Sequence, residues 1–236
     1  MWDAQAFGPM CTQDLLGLNL PELVFGQEDC VFLNVFVPVL ARPNSELPVI
    51  VWLFGGTFAD GDGHDFGWYD NTHLAKQHNV IIVTLNNRVG VFGFMVLPEL
   101  MEESGTVGNQ ALQDQRMAML FVHRNILQFG GSLDKVMVFG QSAGAMIVCY
   151  HYATTASRGL FSAAIMQSGT CDISGLFQKL ATPSNFTTAY AVGLGCDQPP
   201  GQARLSCLQN LQPWTCSSIH QMARRRRKIS CRMCHC

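Results

Sequence analysis

Charged side chains are scarce in this sequence. Asp, Glu, Lys and Arg make up 14% of its 236 residues, whereas about 25% is usual in soluble domains. Hydrophobic residues reach 48%, which excludes a disordered or low-complexity chain and predicts a large core. Stretches of ~20 uniformly apolar residues are also missing, because Gly, Pro, Asn or Thr interrupts every long uncharged run. A membrane span is therefore not predicted.

The two ends of the chain are unlike its middle. The residues from Met1 onwards have neither the basic nor the apolar segment of a secretory leader, so no signal peptide is predicted in the sequence as written. Residues 1–222 carry nine basic and seventeen acidic side chains, a net charge of −8, whereas residues 223–236 carry six basic side chains and no acid. We therefore interpret 1–222 as one domain and 223–236 as a basic, cysteine-rich tail outside it.

Five apolar runs alternate with glycine-rich turns and longer amphipathic stretches. The runs cover residues 31–37, 49–54, 80–85, 135–139 and 163–166. They are continuously apolar, which is typical of strands covered on both faces of a mostly parallel sheet. Residues 109–129 carry apolar side chains at helical spacing and end at a Gly-Gly pair, as helices often do. The repeated order strand, helix, strand predicts an α/β fold with helices flanking the sheet.

The fourth run leads directly into Gly140-Gln141-Ser142-Ala143-Gly144, and helix-compatible residues 145–153 follow. Strand, sharp turn and helix form the context that a G-x-S-x-G nucleophile elbow requires. The glycines are needed because the turn leaves no room for a Cβ atom, and the helix N-terminus favours negative charge at Ser142. A glycine-rich turn that merely contains a serine is the alternative. The flanking strand and helix favour the nucleophile.

A serine nucleophile needs N–H donors for the oxyanion of its tetrahedral intermediate. The backbone N–H of Ala143 is one candidate, since it follows the nucleophile. Gly56 and Thr57 are the others, because we equate the loop after residues 49–54 with the loop after the third sheet strand, where lipases and esterases carry a His-Gly-Gly-Gly type motif. Here that segment reads Phe54-Gly55-Gly56-Thr57, and the β-branched Thr57 restricts the backbone that would aim its N–H. An ordinary strand-to-loop turn is the alternative interpretation.

The order of several motifs resembles the type B carboxylesterase and cholinesterase family of α/β-hydrolases. The matching segments lie at residues 28–35, 87–94, 114–118, 129–144 and 167–169. The resemblance covers residues 2–222 and implies an α/β-hydrolase fold. It also implies an ester hydrolase that forms an acyl-enzyme on Ser142 and uses no metal or cofactor.

The chain departs from this family's pattern in three respects. Gln141 stands where the family usually has Glu, and the short loop between Cys11 and Cys30 lacks the tryptophan that holds choline. Choline esters are therefore not expected as preferred substrates. Members of the family are roughly twice this long and supply the triad in the order Ser, Glu, His, so the acid and base would lie past residue 236. We therefore expect an incomplete fold without its C-terminal half, and an inactive chain.

The carboxylates and imidazoles that do follow Ser142 match no triad motif of the family. They are Asp172, Asp197, His151, His220 and His235. Surface or core positions are the better interpretation of the three histidines.

The resemblance also implies two loop-closing disulfides, Cys11–Cys30 and Cys196–Cys207, with reduced thiols as the alternative. Cys149 lies on the apolar helix after Ser142, and we expect it to be a buried thiol that packs as a small hydrophobic residue. Disulfides require an oxidising compartment, so the complete protein is expected to be secreted or to reside in the ER lumen. In that setting the sequon at Asn185 would be a glycosylation site.

Residues 223–236 allow three functional interpretations, all of which we disfavour. The basic run at 224–228 resembles a nucleic-acid arm, but no binding module accompanies it. Residues 231–235 fit the haem-attachment pattern, but no axial partner accompanies them. A zinc site would need Cys231, Cys234, His235 and Cys236, which are too close together in sequence to surround one ion. We therefore predict no cofactor, no metal and no nucleic-acid partner. A read-through or frameshifted end is the favoured explanation of the tail.

The function predicted from the sequence is a serine carboxylic ester hydrolase acting on a small-molecule ester, with its oligomeric state left open. Two alternatives remain: a non-catalytic cholinesterase-like adhesion module and an inert truncated product. Adhesion modules of this kind typically lose the nucleophile, so the presence of Ser142 favours the enzyme.

Overall fold

Two sheets are present in the part of the chain that the structure describes. A computed structural model describes residues 6–14, 24–105, 107–172, 181–212 and 215. The smaller sheet pairs β1 with β2 in antiparallel register. The larger sheet contains β3 to β7 in the order β3-β5-β4-β6-β7. The strands are Gln13–Asp14 (β1), Val24–Phe25 (β2), Leu33–Phe36 (β3), Leu47–Leu53 (β4), Ile81–Leu85 (β5), Gly131–Gln141 (β6) and Ala163–Gln167 (β7).

Helices lie in the connections between strands and after β7. The connections hold Thr72–His78 (α1), Gly90–Phe94 (α2), Pro98–Ser104 (α3), Gln110–Asn125 (α4) and Ala143–Ala153 (α5), and β7 is followed by Ala181–Gly193 (α6) and Gln202–Gln209 (α7). Short 3-10 turns follow α4 at Ile126–Phe129 and α5 at Thr155–Ser157. The chain turns out of the first of these at Gly130, whose φ of 88° lies in the left-handed region that favours glycine.

The prediction of a mostly parallel α/β sheet is confirmed. β5, β4, β6 and β7 are mutually parallel, and β3 is antiparallel to β5 at one edge. The centre of the sheet is apolar on both faces, because every residue of β5 is buried and Met119, Val122 and Ile126 of the α4 region are fully covered. The helical spacing found between residues 109 and 129 therefore marks a core-facing stripe.

Strand β7 differs from the sequence-based expectation of a strand covered on both faces. Ile165 is 42% exposed and Met166 43% exposed. The reason is its position, since β7 is the last strand of the described sheet and pairs only with β6. In the described ranges, no helix has the length and apolarity that crossing a membrane requires.

Candidate active site

Ser142 lies at the turn between β6 and α5. Its backbone has φ 54° and ψ −122°, a region that L-residues with a side chain rarely adopt and that is held only by its surroundings. The Ser142 N–H donates to the Gln167 carbonyl at 2.8 Å, and the Ser142 carbonyl accepts from the N–H of Ala145 at 3.0 Å. The end of β7 and the first turn of α5 thus both hold the strained residue.

The flanking glycines of this turn have a steric basis. A Cβ atom added to Gly144 would lie 2.2 Å from the Leu53 carbonyl oxygen, and one added to Gly140 would lie 2.4 Å from the Gly144 carbonyl oxygen. Both distances are far below van der Waals contact. A side chain at Gly144 would push α5 away from the end of β4, and one at Gly140 would push α5 away from β6. The close approach places the loop after β4 directly beside Ser142.

That loop contains the residues predicted to bind the oxyanion. A Cβ atom on Gly55 would lie 3.2 Å from the Ser142 Cβ, and the Gly56 carbonyl accepts from the N–H of Asp60 at 3.0 Å. Thr57 is exposed and has φ 54°, which is strained for a β-branched side chain. Ala143 is the first residue of α5, so its N–H has no acceptor within the helix. The structure therefore places Gly55, the residue before Gly56, beside Ser142, and the role of Gly56, Thr57 and Ala143 in oxyanion binding remains a prediction.

Three aspartates next to this loop were not singled out by the sequence analysis. The Asp60 carboxylate lies against Gly56, where an added Cβ would come within 2.3 Å of its Oδ1. Burial raises the pKa of Asp60, and the charges of Asp65 and Asp14 raise it further. Burial and the charge of Asp62 also raise the pKa of Asp65, against an opposing effect of His64. Three carboxylates that influence one another thus lie beside the loop. The spacing D-x-D-x-x-D after Gly-Gly-Thr-Phe is the signal that could have revealed it.

His151 does not reach Ser142. It lies nine residues further along α5, about 13 Å at the rise of an α-helix. Its Nε2 contacts the Gln115 Oε1 at 3.1 Å and its Nδ1 contacts the Ser157 hydroxyl at 2.9 Å. With 2% of its surface exposed, it is a core histidine whose two nitrogens are both satisfied.

No imidazole hydrogen-bonds to the Ser142 hydroxyl within the described ranges. Asp172 and Asp197 are exposed, and the structure gives neither a contact with Ser142. His220 and His235 lie outside the described residues.

The burial of His151 predicts a pH dependence of stability. Desolvation, with a smaller contribution from the charge of Arg116, lowers its pKa from 6.5 to about 4. Between pH 6.5 and 4, His151 is protonated in the unfolded chain and neutral in the folded one. The free energy of unfolding should therefore fall by roughly 3 kcal/mol as the pH drops through this range. Urea unfolding at several pH values measures this. His151→Asn should lose that part of the pH dependence, and His123→Asn, at an exposed position, should keep it. Equal slopes for the two variants would contradict the assignment.

Three disulfides are present among the described residues. Cys11–Cys30 and Cys196–Cys207 are bonded, the pairs that the family resemblance implies. The prediction of a free, buried thiol at Cys149 is wrong, because Cys149 bonds to Cys171 with Cα atoms 5.5 Å apart. The physical reason is the packing of α5 against the segment after β7, a contact between parts of the chain that no local pattern could reveal.

The predicted glycosylation sequon lies on α6. Asn185 is exposed on α6, whereas the Thr187 of its sequon is buried and its hydroxyl donates to the Val96 carbonyl. Glycosylation of Asn185 remains a prediction. No group of three or more metal-ligating side chains occurs in the portion of the chain described.

Comparison with known proteins gives consistent matches along the chain. The model of the carboxylesterase family matches residues 1–227. The chain is 42% identical over 195 residues to para-nitrobenzyl esterase of Bacillus subtilis, covering 82% of this chain and 39% of that protein. It is 33% identical over 230 residues to a pyrethroid hydrolase of Rattus norvegicus, covering 94% and 39%. It is also 39% identical over 186 residues to acetylcholinesterase of Danio rerio, covering 79% and 28%.

Solved structures agree with these relatives. A thermophilic para-nitrobenzyl esterase superposes with a TM-score of 0.74 at 34% identity, over 95% of this chain and 44% of that one. A carboxylesterase of Geobacillus stearothermophilus superposes with a TM-score of 0.76 at 32% identity, over 90% and 41%. The chain thus spans less than half the length of these proteins, and what it shares with them is a partial α/β-hydrolase fold.

Proposed function

Since this chain belongs to the carboxylesterase family, we propose that it carries the nucleophile part of a serine carboxylic ester hydrolase. The observation that supports this most directly is the backbone of Ser142, strained at φ 54° on the turn between β6 and α5. Strain of this kind persists where the surrounding structure determines it, and it concentrates at functional sites.

The proposed reaction is acyl transfer to Ser142. Its Oγ attacks the ester carbonyl carbon while a general base takes the hydroxyl proton. The resulting oxyanion is bound by the N–H groups of Gly56, Thr57 and Ala143. Collapse of the tetrahedral intermediate expels the alcohol, which receives the proton, and leaves an acyl-serine that water then hydrolyses. No metal or cofactor takes part in these steps.

The residues beside the proposed oxyanion loop disfavour an anionic ester. The carboxylates of Asp60, Asp62 and Asp65 lie beside the oxyanion loop, and like charge there disfavours an acyl group that carries a carboxylate. Gln141, directly before the nucleophile, adds no charge. We therefore propose small carboxylic esters that carry no acidic group as substrates of the complete protein.

The three disulfides support an oxidising compartment for the complete protein. Such bonds form and persist in secreted and lumenal proteins and are rare in the cytosol. We place the complete protein outside the cell or in the ER lumen.

Residues 1–236 alone should show no turnover that depends on Ser142. A serine hydroxyl is a weak nucleophile without a positioned base, and no described imidazole contacts it. The chain should therefore hydrolyse p-nitrophenyl acetate no faster than its Ser142→Ala variant. A clear Ser142-dependent rate would mean that a histidine of this chain serves as the base.

The proposed function is tested by labelling the nucleophile of the complete protein. A fluorophosphonate probe should label it, and Ser142→Ala should abolish the label. Ser168→Ala is the matched control, because Ser168 is an exposed serine that also has φ 54°, and it should keep the label. A folded complete protein that resists labelling would favour the non-catalytic adhesion module. Aggregation of residues 1–236 on their own would favour the inert truncated product.

A further inference from the structure

The segment after β7 is attached to the candidate nucleophile turn at three successive points. The Gln167 carbonyl accepts from the Ser142 N–H at 2.8 Å. Gly169 lies so close that an added Cβ would be 2.8 Å from the Ser142 carbonyl oxygen and 2.6 Å from the Ala145 Cβ. Two residues later, the disulfide from Cys171 reaches Cys149 on α5. We call residues 167–171 the bracing segment.

The disulfide is the attachment that secures the far end of the bracing segment. Beyond Gly169 the described side chains are exposed, and the hydrogen bond from the Asp172 N–H to the Thr170 hydroxyl is local. The Cys171 Sγ otherwise contacts the Met166 Sδ at 3.8 Å, a weak interaction. Without the covalent bond, the packing of Gly169 would be the main attachment of the segment's far end among the contacts of the described residues.

The three disulfides differ in their exposure to solvent. Cys11, Cys30 and Cys196 are between 0% and 2% exposed. Cys149 and Cys207 are half-buried, and Cys171 is exposed. Thiol–disulfide exchange requires an attacking thiolate to reach one sulfur of the bond. Because Cys171 is the most exposed of the six bonded cysteines, Cys149–Cys171 is the bond that an external dithiol reaches most readily.

We infer that Cys149–Cys171 is a reducible brace on the nucleophile turn. A thiolate of an external dithiol attacks the Cys171 sulfur, which forms a mixed disulfide and releases the Cys149 thiolate. The second thiol of the reagent then displaces Cys171 and closes the reagent's own disulfide. Two electrons and two protons pass to the two cysteines. The freed bracing segment separates from α5, and the hydrogen bond from the Ser142 N–H opens more often.

The inference goes beyond the proposed hydrolysis, and its test measures amide hydrogen exchange of the backbone rather than ester turnover. Residues 1–236 are treated with increasing dithiothreitol, trapped with iodoacetamide and mapped by mass spectrometry. Cys149 and Cys171 should be alkylated before the other four bonded cysteines. At that stage, amide hydrogen exchange should be at least about tenfold faster in peptides covering 142–146 and 167–171, and unchanged in α4.

Variants separate the brace from a general loss of stability. Cys149→Ser with Cys171→Ser should reproduce the fast exchange at Ser142. Cys196→Ser with Cys207→Ser, which removes a bond from another part of the fold, should leave that exchange unchanged. If the first pair fails to fold, the partially reduced wild-type chain supplies the measurement. Reduction of another bond first, or unaltered exchange at 142–146 once Cys149–Cys171 is open, would overturn the inference.

Discussion

Replacing Arg204 with methionine should lower the free energy of unfolding by about 3–5 kcal/mol. Arg204 on α7 is 1% exposed and Glu99 on α3 is 3% exposed, and the Arg204 Nη2 donates to a Glu99 carboxylate oxygen at 2.8 Å. Burial alone would raise the pKa of Glu99, but the hydrogen bonds and charge of Arg204 outweigh it and the pKa is lowered. Removing the guanidinium leaves a buried carboxylate that keeps only hydrogen bonds from the backbone of Glu99 and Gly201, and a buried charge without its partner is costly.

Urea unfolding of residues 1–236 measures this effect, and two further variants control it. Arg158→Met removes an exposed arginine and should change the stability by no more than about 0.5 kcal/mol. Arg204→Met combined with Glu99→Leu removes both charges and should recover much of the loss, since an apolar pair can replace a buried ion pair. A loss below about 1 kcal/mol for Arg204→Met would show that water reaches Glu99.

Replacing Thr57 with proline in the complete protein should reduce kcat/KM by about 10²–10³. The substitution removes the N–H that we propose as an oxyanion donor, and proline cannot adopt the φ of 54° found at this position. Thr57→Gly keeps the N–H and tolerates positive φ, so its activity should remain close to that of the wild type.

Thr57→Ala serves as the matched control for the side chain. It keeps the N–H and removes the β-branch, so its kcat should stay near the wild-type value. Thermal unfolding of all three variants shows whether the loop change spreads to the fold. An undiminished turnover of the proline variant would exclude Thr57 from the site.

Local features of the sequence predicted the parts of the fold that depend on neighbouring residues. The glycines at 140 and 144 predicted a tight turn around Ser142, and the structure shows the carbonyl oxygens that exclude a side chain there. The spacing of Met119, Val122 and Ile126 predicted a helix with one buried face, and these residues are fully covered. Both patterns are readable because helix and turn geometry relate residues a few positions apart.

Only the tertiary structure decided which distant residues meet. The spacing of 22 residues between Cys149 and Cys171 contains no sign of a bond, which arises from the way α5 lies against the end of β7. The pairing of Glu99 with Arg204, 105 residues apart, and the placement of His151 between Gln115 and Ser157 depend likewise on how helices pack. The sequence by itself determined the class of fold, its family and the position of Ser142. Packing decided the third disulfide, the buried ion pair and the core role of His151, because contacts between distant segments carry no periodic signal along the chain.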